Sequence, residues 1–188
     1  KVVYEVEDSD GNKVRKEIKV TIKPESVSNV EAKSNSYSSN KVTWSPIDNI
    51  DGYEVYRATS KNGTYSLRKT VTSQSSLSYT NTGLTTGKTY YYKVRAYKVV
   101  NGENLYSDFS EVASAKPQLS SPTGKASSAS YNSNKVTWNK VAGADGYEIY
   151  RATSQSGSYS LKKTVASGSN LSYTNTGLTT GKTYYYKV

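Results

Sequence analysis

The sequence has 188 residues, a net charge of +10 and 34% hydrophobic residues, with no Cys, no His and no Met. Those absences exclude disulfide staples, thiolate chemistry and imidazole acid–base work, so each folded unit must stand on a packed core alone. Tyrosine supplies 19 residues against a single phenylalanine, and the remainder is rich in Ser, Thr, Asn, Gly, Lys and Val, a mixture that favours strands and turns over helices.

No apolar run approaches membrane-spanning length and no signal peptide opens the sequence, so membrane insertion is not expected. Residues 1–23 carry +1, residues 24–117 carry +3 and residues 118–188 carry +6, which sum to +10. Cations such as Lys41, Arg57, Lys88 and Lys93 are scattered singly, the pattern of a solvated surface. A nucleic-acid binder concentrates its cations on one face, so nucleic acid is not an expected partner. A general attraction to an anionic cell-wall polymer fits the charge.

In chain order, residues 1–23 read as two alternating strands, 2–7 and 14–22, joined by a DSDGN turn. A lone hairpin is marginal in water, so this segment is expected to be the C-terminal hairpin of a preceding domain. Asp8, Asp10 and Asn12 invite a calcium reading, but a calcium loop puts its glycine at the sixth position. Here Gly11 directly follows Asp10, which is hairpin-turn chemistry.

Residues 24–117 then give about seven short period-two segments, near 27–34, 41–45, 52–58, 64–72, 77–80, 88–99 and 104–114, separated by turn signals such as Asn62-Gly63 and Asn101-Gly102. Seven strands in about 100 residues is the count of an immunoglobulin-like β-sandwich. An internal repeat follows: VTWSPIDNIDGYEVYRATS at 42–60 returns as VTWNKVAGADGYEIYRATS at 136–154, offset by 94, and GLTTGKTYYYKV occurs at both 83–94 and 177–188. Residues 42–94 and 136–188 share 39 identities in 53 positions. Two such copies make two domains, 24–117 and 118–188, the second expected to lack its last strand.

These residues resemble bacterial fibronectin type III modules. The marks are Trp44 followed by Ser45-Pro46, the GYEVYRA strand, and a phrase spelled by Leu84, Gly87, Tyr90, Tyr92, Val94 and Ala96. Thr86 stands where the family often has proline, and Asn139-Lys140 replaces Ser-Pro. The copies look like those in surface and secreted proteins of Gram-positive bacteria, clostridia especially. The first 23 residues are similar to the closing hairpin of bacterial immunoglobulin-like repeats.

The resemblance implies an all-β chain of tandem sandwiches with an inner set of Trp44, Tyr53, Val55, Leu84, Tyr90, Tyr92 and Val94. Its second-copy counterparts are Trp138, Tyr147, Ile149, Leu178, Tyr184 and Tyr186. Tyr90 and Tyr184 are then corner tyrosines, whose hydroxyls bond back to nearby backbone. The opposite strand face leaves Tyr56, Tyr91, Tyr150 and Tyr185 for a ligand surface, against the plainer reading of cross-strand tyrosines on a sheet.

No catalytic residue, cofactor or metal ligand is expected. Glu54 and Glu148 are single carboxylates, and of the turn aspartates Asp48, Asp51 and Asp145, which sit before Gly52 and Gly146, Asp48 has no equivalent in the second copy.

The expected function is a spacer or stalk in an extracellular protein, at the cell surface or in the cell wall, whose partners are neighbouring domains of the same polypeptide. A second reading is an adhesin or carbohydrate-binding module for a cell-wall polymer or a host glycan or protein. A third is a strand-exchanging filament subunit, with an open edge beside residues 183–188.

Overall fold

The computed structural model describes residues 2–18 and 22–188, so the last part of the expected strand 14–22 falls mostly outside the described residues. Strands β1 (Val2–Glu7) and β2 (Lys13–Ile18) pair antiparallel, with Tyr4 opposite Lys16 and Val6 opposite Val14. The period of two places Tyr4, Val6, Val14 and Ile18 on one face, and all four are exposed. Glu5 on the other face takes Lys13 at 2.9 Å and Arg15 at 2.5 Å. Exposed pairs of this kind are screened by solvent and contribute little to stability.

The next eight strands are β3 (Glu31–Ser36), β4 (Ser39–Thr43), β5 (Gly52–Ala58), β6 (Ser66–Val71), β7 (Ser78–Asn81), β8 (Tyr90–Val100), β9 (Glu103–Tyr106) and β10 (Ala113–Ala115). They form one sheet in the order β3-β4-β7 and another in the order β10-β8-β5-β6, with β9 also on β8. Where period two predicts one strand over 104–114, the structure has two short ones, and the reason lies in two serines. Ser107 and Ser110 accept the N–H groups of Ala96 and Val94 through their hydroxyls, at 2.9 and 3.0 Å. Their own N–H groups donate to the carbonyls of the same two residues, each at 2.9 Å. Three residues of this segment therefore span two of β8, and the extra residue bulges outward.

The second copy supplies β11 (Gly124–Ser130), β12 (Ser133–Trp138), β13 (Tyr147–Ala152), β14 (Ser160–Val165), β15 (Ser172–Asn175) and β16 (Tyr185–Lys187). Its sheets run β11-β12-β15 and β14-β13-β16.

By packing, the chain divides into two compact units. One holds the described residues up to Glu31 with Val42–Tyr79 and Tyr91–Ala113; the other holds Ala32–Lys41, Thr80–Tyr90 and Ser114–Val188. The core of the first is anchored by Trp44 against Tyr53, ring centroids 5.3 Å apart, and that of the second by Trp138 against Tyr147, also at 5.3 Å.

Burying tyrosine leaves a hydroxyl that must find a partner. Tyr53 accepts from the N–H of Ile47 at 3.1 Å and donates to the carbonyl of Gln74 at 3.4 Å. Tyr147 repeats the arrangement with Val141 at 3.0 Å and Gly168 at 3.4 Å.

Trp44, Tyr53, Val55, Leu84, Tyr90, Tyr92, Val94, Trp138, Tyr147, Ile149 and Leu178 are buried. Tyr184 and Tyr186 are only half-buried, which departs from the expected inner set. The cause is the neighbourhood of the strand: β8 is flanked by β5 and β10, whereas among the described residues β16 has β13 alone. Tyr186 still packs on the core made by Val136, Trp138, Tyr147 and Ile149.

Candidate binding face

The alternation that sends Tyr90, Tyr92 and Val94 inward sends Tyr91, Lys93 and Arg95 to the outer face of the sheet. The β5–β8 register sets Glu54 opposite Arg95, Tyr56 opposite Lys93, and Ala58 opposite Tyr91. Glu54 Oε2 accepts Arg95 Nε at 2.9 Å, Arg95 Nη2 at 2.8 Å and the Tyr56 hydroxyl at 2.9 Å. Arg95 Nη2 also donates to the Tyr56 hydroxyl oxygen at 2.8 Å. Although it lies on the outer face, Glu54 is only 6% exposed.

Aromatic rings enclose the pair. The Arg95 guanidinium carbon lies 3.6 Å from the Tyr106 ring centre, 5.1 Å from Tyr56 and 5.2 Å from Phe109. Phe109 lies with Asp108 between Ser107 and Ser110, and it meets Tyr56 edge-on at 5.0 Å. Lys93 Nζ sits 4.8 Å from the Tyr65 ring centre and 6.0 Å from Phe109. The result is an alternating row of Tyr65, Lys93, Phe109, Arg95 and Tyr106, in which each cation faces a π-cloud. Burial and the neighbouring Glu54 carboxylate hold the Tyr56 phenol above its ordinary pKa.

Of the tyrosines singled out for a ligand, Tyr56, Tyr91, Tyr150 and Tyr185 are all half-buried. The structure brings Tyr56 into the Glu54–Arg95 cluster, and leaves Tyr91 to one side, opposite Ala58. In the second copy the Tyr150 hydroxyl donates to Glu148 at 2.7 Å and Lys187 lies 4.1 Å from the Tyr159 ring centre. Tyr65, Arg95, Tyr106 and Phe109 are members that the sequence reading missed. Only the lone phenylalanine between two serines could have signalled it.

Asp8 and Asp51 are occupied with backbone. Asp51 accepts Val99 N–H at 2.7 Å and Lys98 Nζ at 3.0 Å. These bonds hold its carboxyl below the usual carboxylate range. Asp8 takes the N–H groups of Asp10 and Asn12 and the Asn12 amide at 2.9–3.0 Å, closing the β1–β2 turn where Gly11 has φ +82°. Among the described residues, no three His, Cys, Asp or Glu side chains converge to hold a metal ion.

The corner bonds close both copies. Tyr90 accepts Thr85 N–H at 3.0 Å, and Tyr184 accepts Thr179 N–H at 3.1 Å.

Residues 24–112 match the fibronectin type III domain. They are a fibronectin type III domain. The chain is all-β, built from tandem sandwiches of this kind. Exoglucanase B of Cellulomonas fimi is 31% identical over 175 residues, covering 82% of this chain and 14% of that enzyme's length. A Fn3-like protein from Clostridium thermocellum is 31% identical, covering 53% of this chain and 99% of its own, with a TM-score of 0.43. The two-domain fibronectin type III segment of chicken tenascin shares the fold, at 20% identity, 87% coverage of each chain and a TM-score of 0.50.

Proposed function

We propose that this chain is a non-catalytic structural spacer in a larger extracellular bacterial protein, its fibronectin type III domains holding a working domain away from a surface. The observation that carries this reading is the internal saturation of the tyrosine-bearing face. Tyr56 has its hydroxyl bonded to Glu54 and Arg95 and its ring against Phe109. A sugar-stacking platform needs rings whose faces are open to solvent, and here cations and other rings lie over them.

The match to a stretch of Exoglucanase B amounting to 14% of that enzyme supports an accessory position rather than a catalytic one. In this reading the parent is a secreted polysaccharide-active protein. The exposed apolar face of the β1–β2 hairpin supports its reading as the closing strands of a preceding immunoglobulin-like sandwich, whose other strands would cover Tyr4, Val6, Val14 and Ile18. An eleven-residue strand such as β8 is about 35 Å long, so each domain adds a few nanometres of reach.

A second reading, an accessory carbohydrate binder, is favoured by Phe109, which is 40% exposed at the edge of the aromatic row. Replacement separates the two. Exchanging residues 24–188 of the parent polypeptide for unrelated β-sandwiches of equal length leaves its activity on insoluble substrate intact if they are spacers. A loss of ten-fold or more, confined to insoluble substrate, would assign them to binding.

A further inference from the structure

Within the second compact unit, the ring of Tyr37 lies against Gly143. A Cβ added at Gly143 would stand 2.5 Å from two ring carbons of Tyr37, closer than any real contact, and Gly143 has φ +79°. A residue with a side chain would both strain this turn and push the ring away. Tyr37 tops the β3–β4 turn, and Gly143 lies in the loop between β12 and β13.

The linker beside this contact is bonded in place: Gln118 N–H donates to Ser34 Oγ at 3.0 Å, Gly87 N–H to the Pro117 carbonyl at 2.9 Å, and Asn40 Nδ2 to the Ala115 carbonyl at 3.1 Å. Pro117 is fully buried.

The repeat offset of 94 places Tyr131 at the position of Tyr37, on the β11–β12 turn. That turn is built by the same bonds. Ser36 and Ser39 hydroxyls meet at 2.7 Å, as do Ser130 and Ser133. Leu84 N–H donates to the Ser38 carbonyl at 2.8 Å, and Leu178 N–H to the Asn132 carbonyl at 2.9 Å. The hydroxyl of Thr86 donates to the Tyr37 carbonyl at 2.6 Å, and that of Thr180 to the Tyr131 carbonyl at 2.8 Å. The two turns thus share these bonds, and their rings differ in cover: Tyr37 is 38% exposed and Tyr131 is 80% exposed. Ser128, Asn134 and Gly181 stand where Ser34, Asn40 and Gly87 hold the linker in the first copy.

We propose that Tyr131 is a docking knob for a further fibronectin type III repeat that presents glycine at the position of Gly143, joined through a linker like that around Pro117. The occupied Tyr37–Gly143 contact is the argument for this occupant. The joint also discriminates. A repeat like the first, which has Asn49 at that position with φ +59°, carries a Cβ where the ring must lie and would be refused. The proposal rests on the array reading of these domains but not on whether they bind glycan.

The repeat arithmetic supplies the test. Because Val188 matches Val94, appending residues 95–188 after Val188 continues the repeat in register and places a second Gly143 loop after Tyr131. A glycine α-proton over a tyrosine ring is shifted upfield in the NMR spectrum. The unextended chain is expected to show this shift at Gly143, and Tyr37→Ala to abolish it without lowering the melting temperature. The extended chain is expected to show a second shifted glycine, lost in Tyr131→Ala and in the appended Gly→Asn variant while the first remains. A Gly143 shift that survives Tyr37→Ala overturns the proposal even if the extended chain fails to fold. So does an extended chain with one shifted glycine, or with a second that survives Tyr131→Ala.

Discussion

Glu54 and Arg95 stand directly opposite each other on β5 and β8, and two N–H bonds of 2.9 and 2.8 Å join them with only 9% of the Glu54 side chain exposed. Removing one member of such a pair strands a buried charge, at a cost of about 3–5 kcal/mol. Arg95→Met is expected to destabilise the protein by about that amount in urea unfolding. The double variant Glu54→Gln with Arg95→Met recovers a measurable part of the loss, because no carboxylate is then left uncompensated.

Ser110 supplies the acceptor for the buried N–H of Val94. Ser110→Ala orphans that donor and is expected to cost about 1–3 kcal/mol. Hydrogen exchange checks the mechanism: the Val94 amide is expected to exchange faster in Ser110→Ala, while amides of the β13–β14 ladder are unchanged.

Trp44 is held by shape. Its indole N–H is buried without a hydrogen-bond partner among the described residues, as is that of Trp138. Trp44→Ala is expected to cost about 3–5 kcal/mol, a large share of the about 5–15 kcal/mol that holds a domain together. Trp44→Phe loses volume but no hydrogen bond, and is expected to retain a cooperative melt at a reduced midpoint. Thermal unfolding of the two variants side by side distinguishes a shape role from a polar one.

Alkaline pH acts through the tyrosines. Burial raises the phenols of Tyr56, Tyr65 and Tyr97 above the ordinary value of 10.0, so the folded state keeps protons that the unfolded state releases. Their contribution is full below pH 10 and is lost as pH rises from 10 through the folded values. Melting temperature is therefore expected to fall above pH 10, and the fall to be shallower in Tyr56→Phe.

The fold class was legible because its signals are local. Turn glycines and period-two segments lie within short windows of sequence, and the offset of 94 shows by direct comparison of two near-identical stretches. The outer face was legible only in part. Alternation showed that Tyr56 and Glu54 leave the core side, but Glu54 read as a solitary surface carboxylate, whereas Arg95, Tyr56 and Tyr106 cover it. Arg95 and Tyr106 come from other strands, up to 52 positions away. Period two also ran straight through 104–114 and hid the bulge, since two serine hydroxyls that replace ladder partners look like any strand serines. Tyr37 and Gly143, 106 positions apart, gave no sign of meeting.

The central claim is that the tyrosine-bearing face is closed upon itself and that the chain serves as a spacer. Its most direct test is calorimetric titration of the whole chain with cello-oligosaccharides, chitin oligosaccharides and solubilised cell-wall glycan. The account predicts no saturable heat with any of them, in the parent or in Tyr56→Ala and Phe109→Ala. Saturable binding in the parent that either substitution weakens ten-fold or more would contradict it.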